Sequence, residues 1–168
     1  NRLDSITLHK HQQIEQNIYS AFSQGSASRR RGAPTLYVLP VAVHIIHNNG
    51  AENISDAQVT QAIIYINQAY ANVGYYDSTT GVNTQIQFCL AKQNPQGLLS
   101  TGITRVQSTP TDLDMSTQDL QMKNLSRWNP LCYANIYVVK EICDQGSCSV
   151  AGYAYFPSSH GSPIDGLV

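Results

Sequence analysis

Leu36-Tyr37-Val38-Leu39-Pro40-Val41-Ala42-Val43-His44-Ile45-Ile46-His47 is the stretch on which the fold turns. It is almost wholly aliphatic and β-branched, and Pro40 interrupts it, so a firm strand is predicted from Val41 onward. Apolar residues fall on both alternating faces, the pattern of a strand covered on both sides. His44 and His47 lie three apart, and on a strand such residues point to opposite faces. They therefore cannot chelate one ion unless the backbone bends. We read His44 as a structural strand residue and His47 as a strand-end residue.

The next element is a helix. Ser55 and Gln58 make a capping box, Ile54 and Val59 the matching hydrophobic staple, and Val59, Ile63, Ile66 and Tyr70 one apolar face running to about Asn72. Gly74 is the expected stop. Beyond it, Thr84 to Ala91 alternates as a half-buried strand, with Ile86, Phe88 and Leu90 on one face and Gln85, Gln87 and Cys89 on the other. Gly102 to Gln107 reads as a short strand. Ser116 with Asp119 is placed to cap a helix through about Arg127, closed by Trp128-Asn129-Pro130. Tyr133 to Val139 and Val150 to Phe156 read as strands, and Asp165 to Val168 as the start of another. This order predicts an α+β or α/β domain, a twisted mixed sheet backed by the Ser55 helix, with a parallel crossover between Val41–His47 and Thr84–Ala91.

Composition fits one folded domain: 168 residues, 42% hydrophobic and 12% charged, with no apolar run near the roughly 20 residues of a membrane span. A net charge of −1 gives no footprint for nucleic acid. Residues 1–35 differ from the rest, with Gln and Ser frequent and a Gly25–Ser28 linker running into Arg29-Arg30-Arg31. Ile14, Ile18 and Phe22 lie at helical spacing across Glu15 to Ser23. A docked pro-segment and a plain helix with a solvated basic loop both fit. Asn1 follows no leader pattern, so a signal peptide is expected to have been removed.

Cys89, Cys132, Cys143 and Cys148 form an even set without a CxxC knuckle, which favours disulfides over a metal site. Cys143 is expected to pair with Cys148 and Cys89 with Cys132, in an oxidising compartment. His160 is the one histidine retained as a candidate cleft residue. No HExxH, GxSxG, P-loop or GxGxxG occurs.

Read in order, Leu39–His47, Asn53–Val59, Ile86–Ala91, Gly102–Arg105, Ala134–Val139, Gly152–Pro157 and Asp165–Val168 resemble the pappalysin-type metzincins. The resemblance implies residues 1–35 as a pro-segment or extension and residues 36–168 as the upper subdomain of a catalytic domain, stopping before the zinc-binding helix. In that family HExxHxxGxxH follows, with three histidines on zinc and a glutamate serving as general base to a zinc-bound water. This chain lacks the motif, so zinc would be held by residues outside it, and the chain alone is predicted inactive. Calcium has no support in the sequence.

The resemblance further implies a secreted or cell-surface endopeptidase acting on peptide or protein substrates. Gly152, Tyr153, Ala154, Tyr155 and Phe156 match by order the edge strand that holds substrate through main-chain hydrogen bonds. Activation by cleavage at Arg29, Arg30 or Arg31 would leave Asp4 or Glu15 as the only carboxylates able to block zinc from within the segment. The competing reading is a non-catalytic binding or structural module of a secreted or surface assembly; a carbohydrate-binding domain, suggested by Tyr and Asn, stands behind both. The missing half of the catalytic domain is the partner the first reading requires.

Overall fold

The computed structural model describes residues 35–109 and 111–168 and, before them, only His9, Gln12, Gln13 and Gln16, which are helical and exposed. The apolar stripe of Ile14, Ile18 and Phe22 and the arginines 29–31 lie outside the described residues.

Strand β1 (Tyr37–His47) is the spine. It pairs in parallel with three strands: β2 (Ile86–Leu90) along Tyr37–Val41, β3 (Ile103–Gln107) along Val43–His47, and β5 (Ala134–Val138) along Val41–Ile45. Main-chain groups of successive residues point to alternate sides. Odd-numbered positions bond β2 and then β3, as Ala91 N–H to Val41 O and Val43 N–H to Gly102 O show. Pro40 belongs to the β5 side, where pairing starts only at Val41. Its missing N–H thus costs the ladder nothing, and the strand starts at Tyr37 rather than after the proline.

Helix α1 (Asp56–Ala71) covers one face of this sheet. Both halves of the expected capping box form: the Ser55 hydroxyl accepts from Gln58 N–H, and the Gln58 side chain accepts from Ser55 N–H at 2.9 Å. The stop is Asn72 in the left-handed region (φ 55°), two residues before the expected glycine. Val59 is buried with Val41, Val43 and Ile45, and Ile54, Ile63, Phe88 and Leu90 pack around them. Asn67 reaches from α1 to the outer edge of β2, donating to Phe88 O at 2.8 Å and accepting from Phe88 N–H at 2.7 Å. That amide occupies an otherwise open strand edge.

The opposite face carries a second, smaller sheet and a short helix. β4 (Asp112–Asp114) pairs in parallel with β6 (Glu141–Asp144), which forms an antiparallel hairpin with β7 (Ser147–Val150). Helix α2 is only Asp119–Lys123, not the expected Ser116–Arg127. Ser116 is not the cap: its hydroxyl donates to Asp114 at 2.6 Å, in the turn before the helix, and Gln118 holds the cap position. Leu113, Met122 and Tyr137 are buried with Ile46, and Trp128 with Ala42 and Ala91. The architecture is the expected mixed α+β arrangement of a sheet with one long helix, though its principal sheet is parallel throughout. Among the described residues no helix is long and apolar enough to cross a membrane.

Candidate functional site: the rim of the sheet and the charges behind it

Beyond β5 the sheet continues through irregular backbone. Leu167 is bridged in parallel to Ile136 and antiparallel to Ala154. Tyr137 N–H donates to Leu167 O at 2.8 Å, and Leu167 N–H to Asn135 O at 3.0 Å. Gly166 makes this insertion feasible: its φ is +129°, and a Cβ there would lie 3.0 Å from Asn135 O. Outside Leu167, Tyr153 and Val168 exchange two hydrogen bonds, 2.9 and 3.0 Å.

The segment 152–156 is therefore the rim of the sheet, but not the continuous strand expected over Val150–Phe156. Regular β7 ends at Val150, and only Ala154 makes a bridge. Because Tyr153 turns its main-chain groups inward, those of Ala154 turn outward. Among the described residues they have no hydrogen-bond partner.

Tyr153 and Tyr155, two apart, share one face of this rim. Tyr153 Oη donates to Asp119 Oδ1 at 2.5 Å and Tyr155 Oη to Asp119 Oδ2 at 3.1 Å. Lys123 Nζ lies 2.9 Å from Asp119 Oδ1 and donates to Ile164 O at 2.6 Å. It also stands over the rings of Tyr155, Tyr153 and Tyr137 at 4.7, 5.4 and 5.9 Å. Lys123 is 0% exposed and Asp119 5%. Burial lowers the lysine pKa, and the hydrogen bond and charge of Asp119 oppose that shift. Burial, then the bond to Asp119, raises the Tyr153 pKa, so its hydroxyl keeps the proton it donates.

His44, on the same face of β1, is fully buried. Its Nε2 bonds Asn135 Oδ1 at 2.8 Å and its Nδ1 the Thr104 hydroxyl at 2.7 Å. Asn135 is oriented in turn by the Trp128 main chain, accepting from its N–H and donating to its carbonyl, each at 3.1 Å. Nε2 must then donate, and in the neutral imidazole that burial favours Nδ1 accepts from the Thr104 hydroxyl. Burial pulls its pKa from 6.5 to about 4 against the Asn135 bond. With both nitrogens engaged, His44 is the structural residue expected. His47 Nδ1 accepts from Asn49 N–H at the strand end.

His160 lines a cleft of about 390 Å³ with Leu39, Pro40, Cys132, Asn135 and Asp165. Its Nδ1 is 3.1 Å from Asp165 Oδ2. Cys143 and Cys148 are joined as a disulfide across the β6–β7 turn, whereas Cys89 and Cys132 are free thiols. The expected second bridge fails on topology. Cys89 lies in β2 opposite Pro40, and the Cys132 chain enters on the β5 side, where Ala134 is opposite Val41, so β1 runs between them. Among the described residues the one trio of possible metal donors is Glu141, Cys143 and Cys148. Two of its sulfurs are committed to the disulfide, so these donors do not fit a zinc site.

Asp119, Lys123, Asn135 and Thr104 escaped the sequence reading. Asp119 was assigned to a helix cap, and the only signal for its true partner was the i,i+4 spacing to Lys123.

No family model and no curated protein matches the chain. Solved structures do. Mirolysin in complex with compound 9 is 31% identical over 80% of this chain and 52% of that one, with a TM-score of 0.62. Mature mirolysin from Tannerella forsythia, in complex with a cleaved peptide, is 31% identical over 81% and 53%, also at 0.62. A promirolysin variant from the same organism is 30% identical over 94% of this chain and 56% of that one, at 0.63. The chain spans about half the length of these relatives. Its fold is metalloprotease-like, and the resemblance to the pappalysin-type metzincins read from the sequence is borne out.

Proposed function

We propose that this chain supplies the pro-segment and the upper, substrate-lining subdomain of a secreted zinc-dependent endopeptidase. The observation that carries the reading is the outward-facing main chain of Ala154, on the rim of a sheet similar to that of mirolysin. An extended peptide can add there as a further strand, its backbone supplying affinity irrespective of side chains. One of the similar mirolysin structures holds a cleaved peptide.

On this reading residues 36–168 are the subdomain and residues 1–35 the segment removed on activation, by cleavage after Arg29, Arg30 or Arg31. In support, promirolysin matches more of this chain, 94%, than mature mirolysin does at 81%. The Cys143–Cys148 disulfide fits an oxidising, extracellular location. Zinc would be held by residues outside the chain; the residues described above would place substrate.

The test is peptide hydrolysis by the native polypeptide before and after 1,10-phenanthroline, with the intact mass measured alongside. Hydrolysis that is lost to the chelator and restored by zinc, from a polypeptide well above 18.5 kDa, supports the endopeptidase. A zinc-free native polypeptide of 18.5 kDa without activity would instead be the binding module. N-terminal sequencing of the active form checks the processing step: a start at or before Asn1 with full activity overturns it.

A further inference from the structure

The rim is weakly attached by its own backbone. Among the described residues its regular ladder consists of two hydrogen bonds between Tyr153 and Val168 and one bridge at Ala154. A segment so tied would open readily if nothing else held it. What holds it is side-chain chemistry from a different element. The two hydroxyls of Tyr153 and Tyr155 end on the two oxygens of a single carboxylate, Asp119, at 2.5 and 3.1 Å. That carboxylate is fixed by Lys123 at 2.9 Å, and Lys123 is fixed by Ile164 O at 2.6 Å, in the loop leading to Leu167. Arg127 adds a second bond to the same loop, Nη1 to Pro163 O at 3.0 Å.

Both residues beside Ala154 are thus anchored to one point on α2, and the backbone next inward is anchored to the same ion pair. Two contacts at i and i+2 set the position, the twist and the register of a strand. The ion pair is almost wholly buried, where a charge separated from its partner is far costlier than at the surface. Opening the clamp would therefore mean separating a buried charge from its partner.

We infer that Asp119 and Lys123 are positioning residues for substrate binding: a buried clamp that, through Tyr153 and Tyr155, holds the main chain of Ala154 in the geometry that an extended peptide pairs with. The inference rests on the reading of this rim as the substrate-binding edge. Neither residue touches substrate. Preorganisation of this kind lowers the ordering cost of binding and leaves the chemical step alone.

The experiment uses the full native polypeptide with an extended peptide substrate and a short one that ends before the rim. The double variant Tyr153→Phe, Tyr155→Phe removes only the two hydroxyls and keeps the rings under Lys123; Asp119→Asn is the harsher companion. Expected for the double variant is a KM for the extended peptide raised roughly tenfold, the scale of one or two lost hydrogen bonds. The kcat should stay within about twofold, and the short substrate should be unaffected, as when uniform binding is removed. Amide exchange at Ala154 should quicken in parallel.

An active wild type whose double variant keeps its KM, or loses kcat on both substrates alike, overturns the clamp and leaves the proposed function standing. A wild type that cleaves neither peptide overturns the proposed function, and the clamp with it. Asp119→Asn, if it folds, should raise KM at least as much as the double variant; a wild-type KM there counts against the clamp as well.

Discussion

On the α1 side of β1, Val41, Val43 and Ile45 meet the aliphatic side chains of Val59, Ile54 and Ile63, with buried His47 only at the strand's end. On the other side of the same strand, Ala42 and Ile46 flank His44, the neighbouring strands bring Thr104 and Asn135 to its ring, and α2 beyond brings the Asp119–Lys123 pair. The first face is held by burial that needs no direction. The second is held by polar groups whose partners must be present and aimed, because each would be costly unpaired. One strand thus carries a tolerant face and an intolerant one, and the rim proposed to line the substrate cleft is attached to the intolerant side.

The sharpest way to break this contrast is to strand a charge. Lys123→Ala leaves Asp119 buried without its cation and should cost about 3–5 kcal/mol of stability, the range for halving a buried pair. Chemical denaturation measures it; a loss under 1 kcal/mol would make the pair a surface-like one. Next comes acid. With His44 lowered from 6.5 to about 4 in the folded state, the unfolded chain binds more protons between those values. Stability is then fully present above about pH 6.5 and falls as pH drops toward 4, by roughly 3 kcal/mol in all. Melting followed from pH 7.5 to 4.5 should show that slope, and His44→Gln should flatten it. If the variant keeps the wild-type slope, His44 is not its source.

On the tolerant face Ile63→Ala should cost about 2 kcal/mol, the lower end for a large-to-small change, since Ile63 is only partly buried. A change below about 0.5 kcal/mol would place that side chain in solvent. Smallest of all, Ser55→Ala should remove about 1 kcal/mol by unmaking the capping box; an unchanged melting temperature would count against it.

The same contrast governs how much was legible in the sequence. Strand β1 and helix α1, with Ser55, Gln58 and Val59 in their roles, are local patterns, and the structure keeps them nearly residue for residue. The Cys143–Cys148 staple is equally local. What was missed depends on distant partners. Asp119 reads as a cap residue because its tyrosines lie 34 and 36 residues on, and Lys123 draws no reading because the carbonyl it bonds is 41 away. Val150–Phe156 looked like a strand from composition, yet its hold on the sheet comes largely from side chains, so the regular ladder stops at Val150. The small sheet of β4, β6 and β7 left no periodic signal, its strands being three or four residues long.

Ala154→Pro in the full native polypeptide separates the rim's part in substrate binding from its part in the fold. The N–H it removes has no partner among the described residues, so the fold has little to lose from it, while an added peptide strand would lose a ladder bond. The expected result is a melting temperature close to wild type, with KM for an extended peptide raised roughly tenfold and kcat little changed. An unaltered KM in a folded, active Ala154→Pro variant would contradict it.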